Sequence, residues 1–212
     1  MHPNPAFRGN PAEANVAFAR QRGFGTLCLN GHDGPLISHV PFVLNANATE
    51  AELHLVRSNP IVRAVREPTQ AVIAVSGPDG YISPDWYDTP DQVPNWNYVA
   101  VHLRGHIAPA DPDSLRAHLD TVSANFEERL PKTPWTTGKM TPGSLDRMMR
   151  QILPFRFTIA EVQGTWKLNQ NKTDDARLGA AQAIASSPIG QELHDLAELM
   201  RHGGPSSEMD KR

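Results

Sequence analysis

Short apolar stretches separated by turn-forming residues dominate the first half of the chain, which predicts β-strands joined by tight turns. Residues 24–29 form one such stretch, and residues 30–34 (Asn-Gly-His-Asp-Gly) tolerate positive φ angles, which favours a hairpin. Residues 35–44 are the expected partner strand. The same pattern predicts strands over residues 53–57, 70–76, 97–107 and 155–162, and a loop over residues 77–94.

Helical spacing predicts one helix before these strands and several after them. Asn10 is a suitable N-cap, Pro11 suits the first helical position, and Gly23 ends the first helix. Later helices are expected to begin at Asp111 and at Thr141, the latter running through Ile152. Two tail helices are expected over residues 174–185 and 188–200, before a frayed polar tail at 205–212. Hairpin-linked strands with late helices predict an α+β fold, a mainly antiparallel β-barrel with peripheral helices.

Charge and cysteine content narrow the function classes. The 20 Lys and Arg against 23 Asp and Glu give a net charge of −3, which argues against broad, sequence-independent nucleic-acid binding. The single cysteine, Cys28, excludes a multi-cysteine metal site within one chain, and its apolar strand predicts an inert thiol. Neither a long apolar span nor a signal peptide is recognisable, so a cytoplasmic protein is expected.

Aromatic residues are concentrated between residues 81 and 98, where five of the seven Trp and Tyr residues occur. In a Pro-rich, polar segment they are not typical core residues, and their flat faces suit a planar ligand. A packed loop and a subunit contact are equally compatible with this composition.

Two polar segments offer donors to an anion. Arg57 ends a predicted strand directly before Asn59-Pro60, so a guanidinium and the N–H groups of a helix start are expected to lie together. A simpler interpretation than anion binding is that Arg57 is an exposed arginine beside a helix cap. Residues 167–172 (Lys-Leu-Asn-Gln-Asn-Lys) could also bind an anion or carbonyl oxygens, or could be a solvated loop.

Histidine-based metal binding and a DNA-reading helix are both disfavoured. His102 and His106 lie on a predicted strand, where four residues span about 13 Å, too far for one ion. The second tail helix carries Glu192, Asp195 and Glu198 against Arg201, which is the wrong charge for the major groove.

Several sequence blocks, in order, resemble the PaiB family, which is described as FMN-binding negative transcriptional regulators. The matching blocks are residues 24–27 (Phe-Gly-Thr-Leu), 34–42 (Gly-Pro-Leu-Ile-Ser-His-Val-Pro-Phe), 54–60 (His-Leu-Val-Arg-Ser-Asn-Pro), 77–87, 93–98 and 167–171 (Lys-Leu-Asn-Gln-Asn). The chain departs from the usual family pattern at His2, Leu53, Asn95 and Asn169.

The resemblance implies an FMN-binding split barrel, similar to the pyridoxamine-phosphate-oxidase-like flavoproteins. It implies a homodimer with flavin between the subunits, a barrel domain over residues 1–172 with a helical insertion at about 111–153, and a C-terminal helical extension over 173–212. The expected cofactor-binding residues are Ser38, His39, Val40, Pro41, Arg57, Asn59, Pro60, Trp96, Asn97, Tyr98, Lys167 and Gln170. No catalytic residue and no metal ligand are assigned.

Within this picture, the strand 38–41 is expected along the edge of the isoalloxazine ring, Arg57 at the phosphate, and Trp96 and Tyr98 as a cover, contributed by the second subunit. A regulator that acts on DNA directly or through a partner is the first functional interpretation. A flavin-dependent oxidoreductase of unknown substrate stays open, as does, more weakly, a haem-handling barrel.

Overall fold

The computed structural model describes residues 1–205, so residues 206–212 of the predicted polar tail lie outside the described residues. The strands are β1 Phe24–Gly31, β2 Gly34–Pro41, β3 Val43–Leu44, β4 Glu50–Val56, β5 Thr69–Ile82, β6 Asn95–Pro109, β7 Ile152–Lys167 and β8 Gly190–Gln191. The α-helices are α1 Ala12–Arg22, α2 Pro60–Ala64, α3 Leu115–Glu127, α4 Ser144–Met149, α5 Asp174–Ile184 and α6 Leu193–His202. Short 3-10 turns cover Pro5–Phe7, Pro84–Tyr87, Pro112–Ser114 and Thr137–Lys139.

Contacts divide the chain into two units. Residues 19–75 and 103–162 form one, named here the barrel unit, and residues 1–18, 76–102 and those from 163 onwards form the other, named the terminal unit. Strands β5, β6 and β7 each contribute residues to both units, because each is 14 to 16 residues long and crosses a unit boundary.

The barrel unit is built on one sheet with the strand order β2-β1-β5-β6-β7-β4-β3. The paired strands β1–β2, β1–β5, β3–β4 and β4–β7 are antiparallel. The first and last strands of this path, β2 and β3, are separated in the chain by Phe42 alone, which is buried and whose N–H donates to the Gly23 carbonyl. The path therefore returns to its starting point, and the predicted antiparallel barrel is confirmed.

Alternating side chains of the strands fill the barrel interior. On β4 the alternate residues Ala51, Leu53 and Leu55 are buried, and Leu27 of β1 and Ile73 of β5 are fully buried. Strands β6 and β7 approach closely at Gly105, where a Cβ atom would lie 1.9 Å from the Thr158 carbonyl oxygen. Glycine is required at this position because any side chain would overlap the neighbouring backbone.

Several predicted boundaries need correction. Strand β5 continues to Ile82, through residues predicted as a loop, because Gly77 and Gly80 are close-packed rather than turning. A Cβ at Gly77 would overlap Phe18 and Val99 of the same unit, and one at Gly80 would overlap Ile184 and Leu193. Strand β7 begins at Ile152 and ends at Lys167, longer than the predicted 155–162. Gly77 and Gly80 therefore mark close packing at positions where the sequence predicted a loop.

The other predicted boundaries of helices and strands are either confirmed or displaced by a few residues. Helix α1 ends before Gly23, whose φ is +55°, as predicted. The expected strand 35–44 is interrupted at Phe42, where the chain turns from β2 into β3. The last helix begins at Leu193 rather than at 188, because Gly190–Gln191 pairs with β5 and Glu192 adopts a left-handed conformation.

Candidate functional site

The outer edge of β2 is the part of the barrel unit that collects most of the predicted site residues. Among the strands of residues 1–205, β2 is hydrogen-bonded to β1 alone, with Ser38 opposite Leu27. Ser38 is half-buried, Val40 is buried and Pro41 is half-buried, whereas His39 is exposed. The edge therefore presents backbone N–H and C=O groups and the Ser38 hydroxyl to whatever lies beside it.

Asn59 connects this edge to the start of α2. Its Nδ2 donates to Ser38 Oγ at 3.0 Å, and its Oδ1 accepts from the backbone N–H of Ile61 at 2.9 Å. Because Ser38 Oγ accepts this bond, its own proton remains available to a further acceptor. Asn59 is thus a helix cap that also orients the Ser38 hydroxyl.

Arg57 lies between β4 and α2 and is exposed. Its Nε donates to the Arg150 carbonyl oxygen at 2.6 Å, and its backbone N–H donates to the Gln151 carbonyl at 2.8 Å. Among the described residues Nη1 and Nη2 have no hydrogen-bond partner. The side chain is held at one nitrogen and can offer the other two to an oxyanion.

The expected helix N–H donors beside Arg57 are not free, which corrects the sequence-based expectation. Pro60 has no N–H, the N–H of Ile61 is bonded to the Asn59 side chain, and the N–H of Val62 is bonded to the Asn59 carbonyl. Ile61 and Val62 are also buried. An anion at this place would depend on the Arg57 guanidinium and not on the five-residue helix α2.

His39 faces away from Ser38 because side chains alternate along a strand. Its Nδ1 lies 3.1 Å from Thr26 Oγ1, directly opposite on β1, and its ring stacks on Phe24 with the centroids 6.5 Å apart. The exposed His39 side chain therefore lies on the opposite face of the strand from the Ser38 hydroxyl.

The predicted ring-binding residues 96–98 lie in the terminal unit. Trp96 is 42% exposed, and its Nε1 donates to Asp79 Oδ1 at 2.9 Å. Tyr98 is half-buried. Asn97 is fully buried, with Nδ2 directed at the Met200 sulfur at 3.4 Å. Trp96 and Tyr98 have surface that a ligand could cover, whereas the Asn97 side chain has none, which corrects its expected role.

Tyr87 shows that the aromatic cluster is partly core, which favours the packed-loop interpretation that composition had left open beside the ligand platform. It is 2% exposed, and its hydroxyl donates to Asn169 Oδ1 at 3.2 Å and accepts from Asn95 Nδ2 at 2.6 Å. Burial raises the pKa of the Tyr87 phenol, an effect opposed by these two hydrogen bonds. Tyr87 and Asn169 are 82 positions apart, so no local sequence signal connects them.

Gln170 and Lys167 lie at the end of β7, also in the terminal unit. The Gln170 amide accepts from the Leu168 N–H and donates to the carbonyls of Trp166 and Ala6. These backbone contacts occupy its polar atoms and argue against the expected cofactor contact. Lys167 is half-buried, with Nζ 6.0 Å from the centroid of the Phe7 ring. Burial, and to a smaller extent Lys172, lowers the pKa of Lys167.

The sequence-based interpretation missed a histidine pair in the barrel unit, in which His118 is buried and His54 is half-buried. His54 Nδ1 lies 3.0 Å from His118 Nε2, and His118 Nδ1 lies 3.4 Å from Glu52 Oε2. Burial is the main cause that lowers the pKa of both histidines, and Glu52 partly opposes it at His118. Glu52 and His54 are two residues apart on β4 and so share one face of the strand, which the sequence alone could have shown. Their partner His118 lies on α3, 64 positions from His54, and no local pattern connects the two histidines.

The fold is that of the FMN-binding split barrels. The chain is similar to the FAD and heme binding protein from Mycobacterium smegmatis, with 15% identity, a TM-score of 0.53, and 85% of this chain and 80% of that chain covered. It is also similar to the flavocytochrome Anf3 from Azotobacter vinelandii, with 14% identity, a TM-score of 0.58, and 90% and 81% covered.

Residues 1–161 match the sequence profile of the family described as "Putative FMN-binding domain", and the chain belongs to this family. FMN is therefore its cofactor. The chain is 25% identical over 196 residues to the protease synthase and sporulation protein PAI 2 of Bacillus subtilis strain 168, covering 91% of this chain and 94% of that protein. The match to PAI 2 agrees with the PaiB resemblance read from the sequence blocks. Among the described residues, no helix has the length and apolar character to span a membrane.

Proposed function

We propose that this protein is a homodimeric, FMN-binding regulator of the PaiB type, and that the β2 edge of the barrel unit holds the flavin. The observation that carries the proposal is the edge itself: a strand paired on one side only, with an oriented Ser38 hydroxyl and, beyond the Asn59 cap, a guanidinium with two nitrogens that have no partner among the described residues. FMN has a planar ring with polar edge atoms and a phosphate of about two negative charges, so it needs both kinds of group.

In this proposal each residue of the edge has a defined task. The backbone of 38–41 and the Ser38 hydroxyl bind the polar atoms of the ring, and Asn59 holds the hydroxyl in place. Arg57 binds the phosphate with its two outer nitrogens. Pro60 begins α2 and shapes the chain beside Asn59 without donating a bond. When bound, FMN supplies a redox-active ring whose oxidation state a regulator can sense.

The outward face of β1 and β2 supports the second half of the proposal, the homodimer. Phe24 is 54% exposed and Ile37 is 60% exposed, and Cys28 lies opposite Ile37 in the register. The Thr26–His39 pair lies between them on the same face, with the His39 ring stacked on Phe24. Exposed apolar side chains on one sheet face favour burial against a partner, and a second copy offers a self-complementary surface. Dimerisation through this face would place a second subunit beside the β2 edge, where we propose that the partner's Trp96 and Tyr98 cover the flavin.

The regulator role is supported by the PaiB resemblance and by a match to PAI 2 over nearly the whole length of both chains. Direct reading of bases by α6 is not part of the proposal, because Asp195 and Glu198 would meet DNA phosphates and Arg201 is paired with Glu198. We propose instead that the flavin-loaded dimer acts through another macromolecule. We propose the cytoplasm as its location.

The experiment is a set of three measurements on the purified full-length chain. Its visible spectrum, with mass spectrometry of the released ligand, should show one FMN per chain, and a haem Soret band instead would contradict the proposed cofactor. Light scattering should give twice the mass of one chain. Transcript profiles of cells lacking the gene should change, and return to normal with the wild-type gene but not with an Arg57→Ala variant. Unchanged profiles would contradict the regulator role while leaving flavin binding intact.

A further inference from the structure

Helix α3 is held against the rest of the barrel unit at two places. Near its start, Leu115 and His118 are buried, and His118 Nε2 lies 3.0 Å from His54 Nδ1 on β4. Just beyond its end, the Arg129 guanidinium donates to the Gln21 carbonyl oxygen at 2.5 Å. Within residues 1–205, the histidine pair is the only side-chain hydrogen bond between α3 and the sheet. The attachment of the first half of α3 therefore depends on the protons of two imidazoles.

The surroundings of His118 assign the protons of the histidine pair. His118 Nδ1 is buried without a hydrogen-bond partner among the described residues, and the carboxylate oxygen Glu52 Oε2 lies 3.4 Å from it. A proton on Nδ1 is favoured, because a bare lone pair would face a carboxylate. Nε2 of His118 then accepts from the N–H at His54 Nδ1, which leaves the free lone pair on His54 Nε2. That atom has no partner among the described residues and keeps accessible surface.

This arrangement accepts one proton but not two. The first proton binds the accessible Nε2 of His54 and leaves the contact between the two rings unchanged. A second proton would have to bind His118 Nε2, and two N–H groups would then face each other across 3.0 Å. His118 is 3% exposed, and burial disfavours its charged form, an effect that Glu52 opposes only in part. The docked helix therefore excludes the second proton, which an undocked His118 binds readily.

Other charges around the pair do not replace this effect. Among the described residues, Glu52 is the one charged group at salt-bridge distance from either imidazole. Arg156 of β7 lies opposite Glu52 in the register, and its Nε lies 3.8 Å from Glu50 Oε2. On β3, the residue opposite Glu52 is the uncharged Val43. The remaining charged residues on the elements around the pair are exposed: Arg116 and Asp120, which pair with each other on α3, and Asp111 and Asp113 of the preceding turn.

We propose that the histidine pair is an acid-sensitive switch, which keeps the N-terminal half of α3 on β4 at neutral pH and releases it when both imidazoles are protonated. The C-terminal half stays in place, because Arg129 keeps its charge over this pH range and its acceptor is a backbone carbonyl. Release frees the start of the segment 110–151, which joins β6 to β7. The switch goes beyond the proposed function, since neither the flavin site nor the dimer face uses these residues.

The test is hydrogen–deuterium exchange of the purified full-length protein at about pH 7.5 and about pH 5.0, corrected for the intrinsic exchange rate at each pH. An undocked histidine has an ordinary pKa of about 6.5, so the opening constant of the N-terminal half of α3 should rise about thirtyfold at the lower pH. Peptides from the C-terminal half of α3 and from α1 should change much less. His118→Gln should abolish the rise, whereas the matched control His106→Gln, an exposed histidine of β6, should keep it.

Three outcomes would overturn the proposal. An unchanged opening constant at the lower pH would show that the pair does not hold the helix. An equal rise in α1 and in both halves of α3 would indicate global acid unfolding, and a rise that persists in His118→Gln would assign the effect to other groups. Nitrogen NMR of the imidazoles should show one proton, at His54 Nε2, bound before α3 loses protection. If thermal melting shows that His118→Gln does not fold, His54→Gln replaces it, because either variant leaves a single proton site.

Discussion

Replacement of Arg57 by alanine is the most direct test of the proposed phosphate site. The structure leaves two guanidinium nitrogens for a ligand, since Nε is bonded to the Arg150 carbonyl. A hydrogen bond to a charged group contributes about 1.5–3 kcal/mol. Arg57 is exposed, so screening by water favours the lower end of that range. We therefore expect Arg57→Ala to weaken FMN binding by about tenfold, which corresponds to roughly 1.4 kcal/mol.

The assay is a fluorescence titration of FMN and of riboflavin, which lacks the phosphate, into the apoprotein. Arg57→Ala should reduce the affinity for FMN and leave that for riboflavin nearly unchanged, and the difference should shrink at high salt. Arg66→Ala, an exposed arginine shortly after α2, is the matched control. Equal losses for the two flavins would mean that Arg57 supports the loop through Arg150, and unchanged FMN binding would reduce it to a surface residue.

Three further predictions follow from the barrel unit. Ser38→Ala should weaken FMN and riboflavin equally, by about fivefold for one neutral hydrogen bond, and a selective loss for FMN in the same titration would contradict ring binding. Ile37→Asp should shift the light-scattering mass from dimer to monomer, because it places a charge on the proposed apolar interface, and a persistent dimer would locate the interface elsewhere. Burial lowers the pKa of His54 and His118 below the ordinary 6.5, so protons bind the unfolded chain preferentially and the melting temperature should fall as pH drops below about 6.5. The double variant His54→Gln/His118→Gln should show a smaller decrease over the same pH range, and an unchanged decrease would assign the effect to other groups.

Local signals were sufficient for most elements and for part of the site. Adjacent residues were enough to predict the start of α1 at Asn10-Pro11 and its end at Gly23. They were also enough to predict the β1–β2 hairpin and the Asn59 cap of α2. From the same residues, however, we expected free N–H groups at the start of α2 beside Arg57. The structure shows Asn59 using its own side chain on Ile61, because a good cap satisfies the very donors that an anion would need.

The site residues of the terminal unit could not be assigned by such signals. Composition left a ligand platform, a packed loop and a subunit contact open for the aromatic residues, and the structure shows that Tyr87 is core and that its hydroxyl is bonded to Asn169. Asparagine is a polar residue that is usually found at the surface. Asn97 is nevertheless fully buried, because Met200 of α6 packs against its side chain. Burial of this kind depends on elements about 100 residues away, which local periodicity does not encode.

The sequence by itself determined the α+β class, the order of most strands and helices, and, through its resemblance to a known family, FMN as the cofactor. Those properties depend on residue type and spacing within short windows. Only the tertiary structure decided where strands end and which polar groups are left over: Gly77 and Gly80 continue β5 because Phe18 and Ile184 leave no room for a side chain. Likewise, Asn169 Nδ2 has no partner among the described residues because the turn after β7 and the buried Tyr87 meet there, and the Tyr87 hydroxyl bonds to Oδ1 of the same amide. Packing and hydrogen-bond satisfaction are properties of the whole fold, since each depends on which distant atoms are brought into contact.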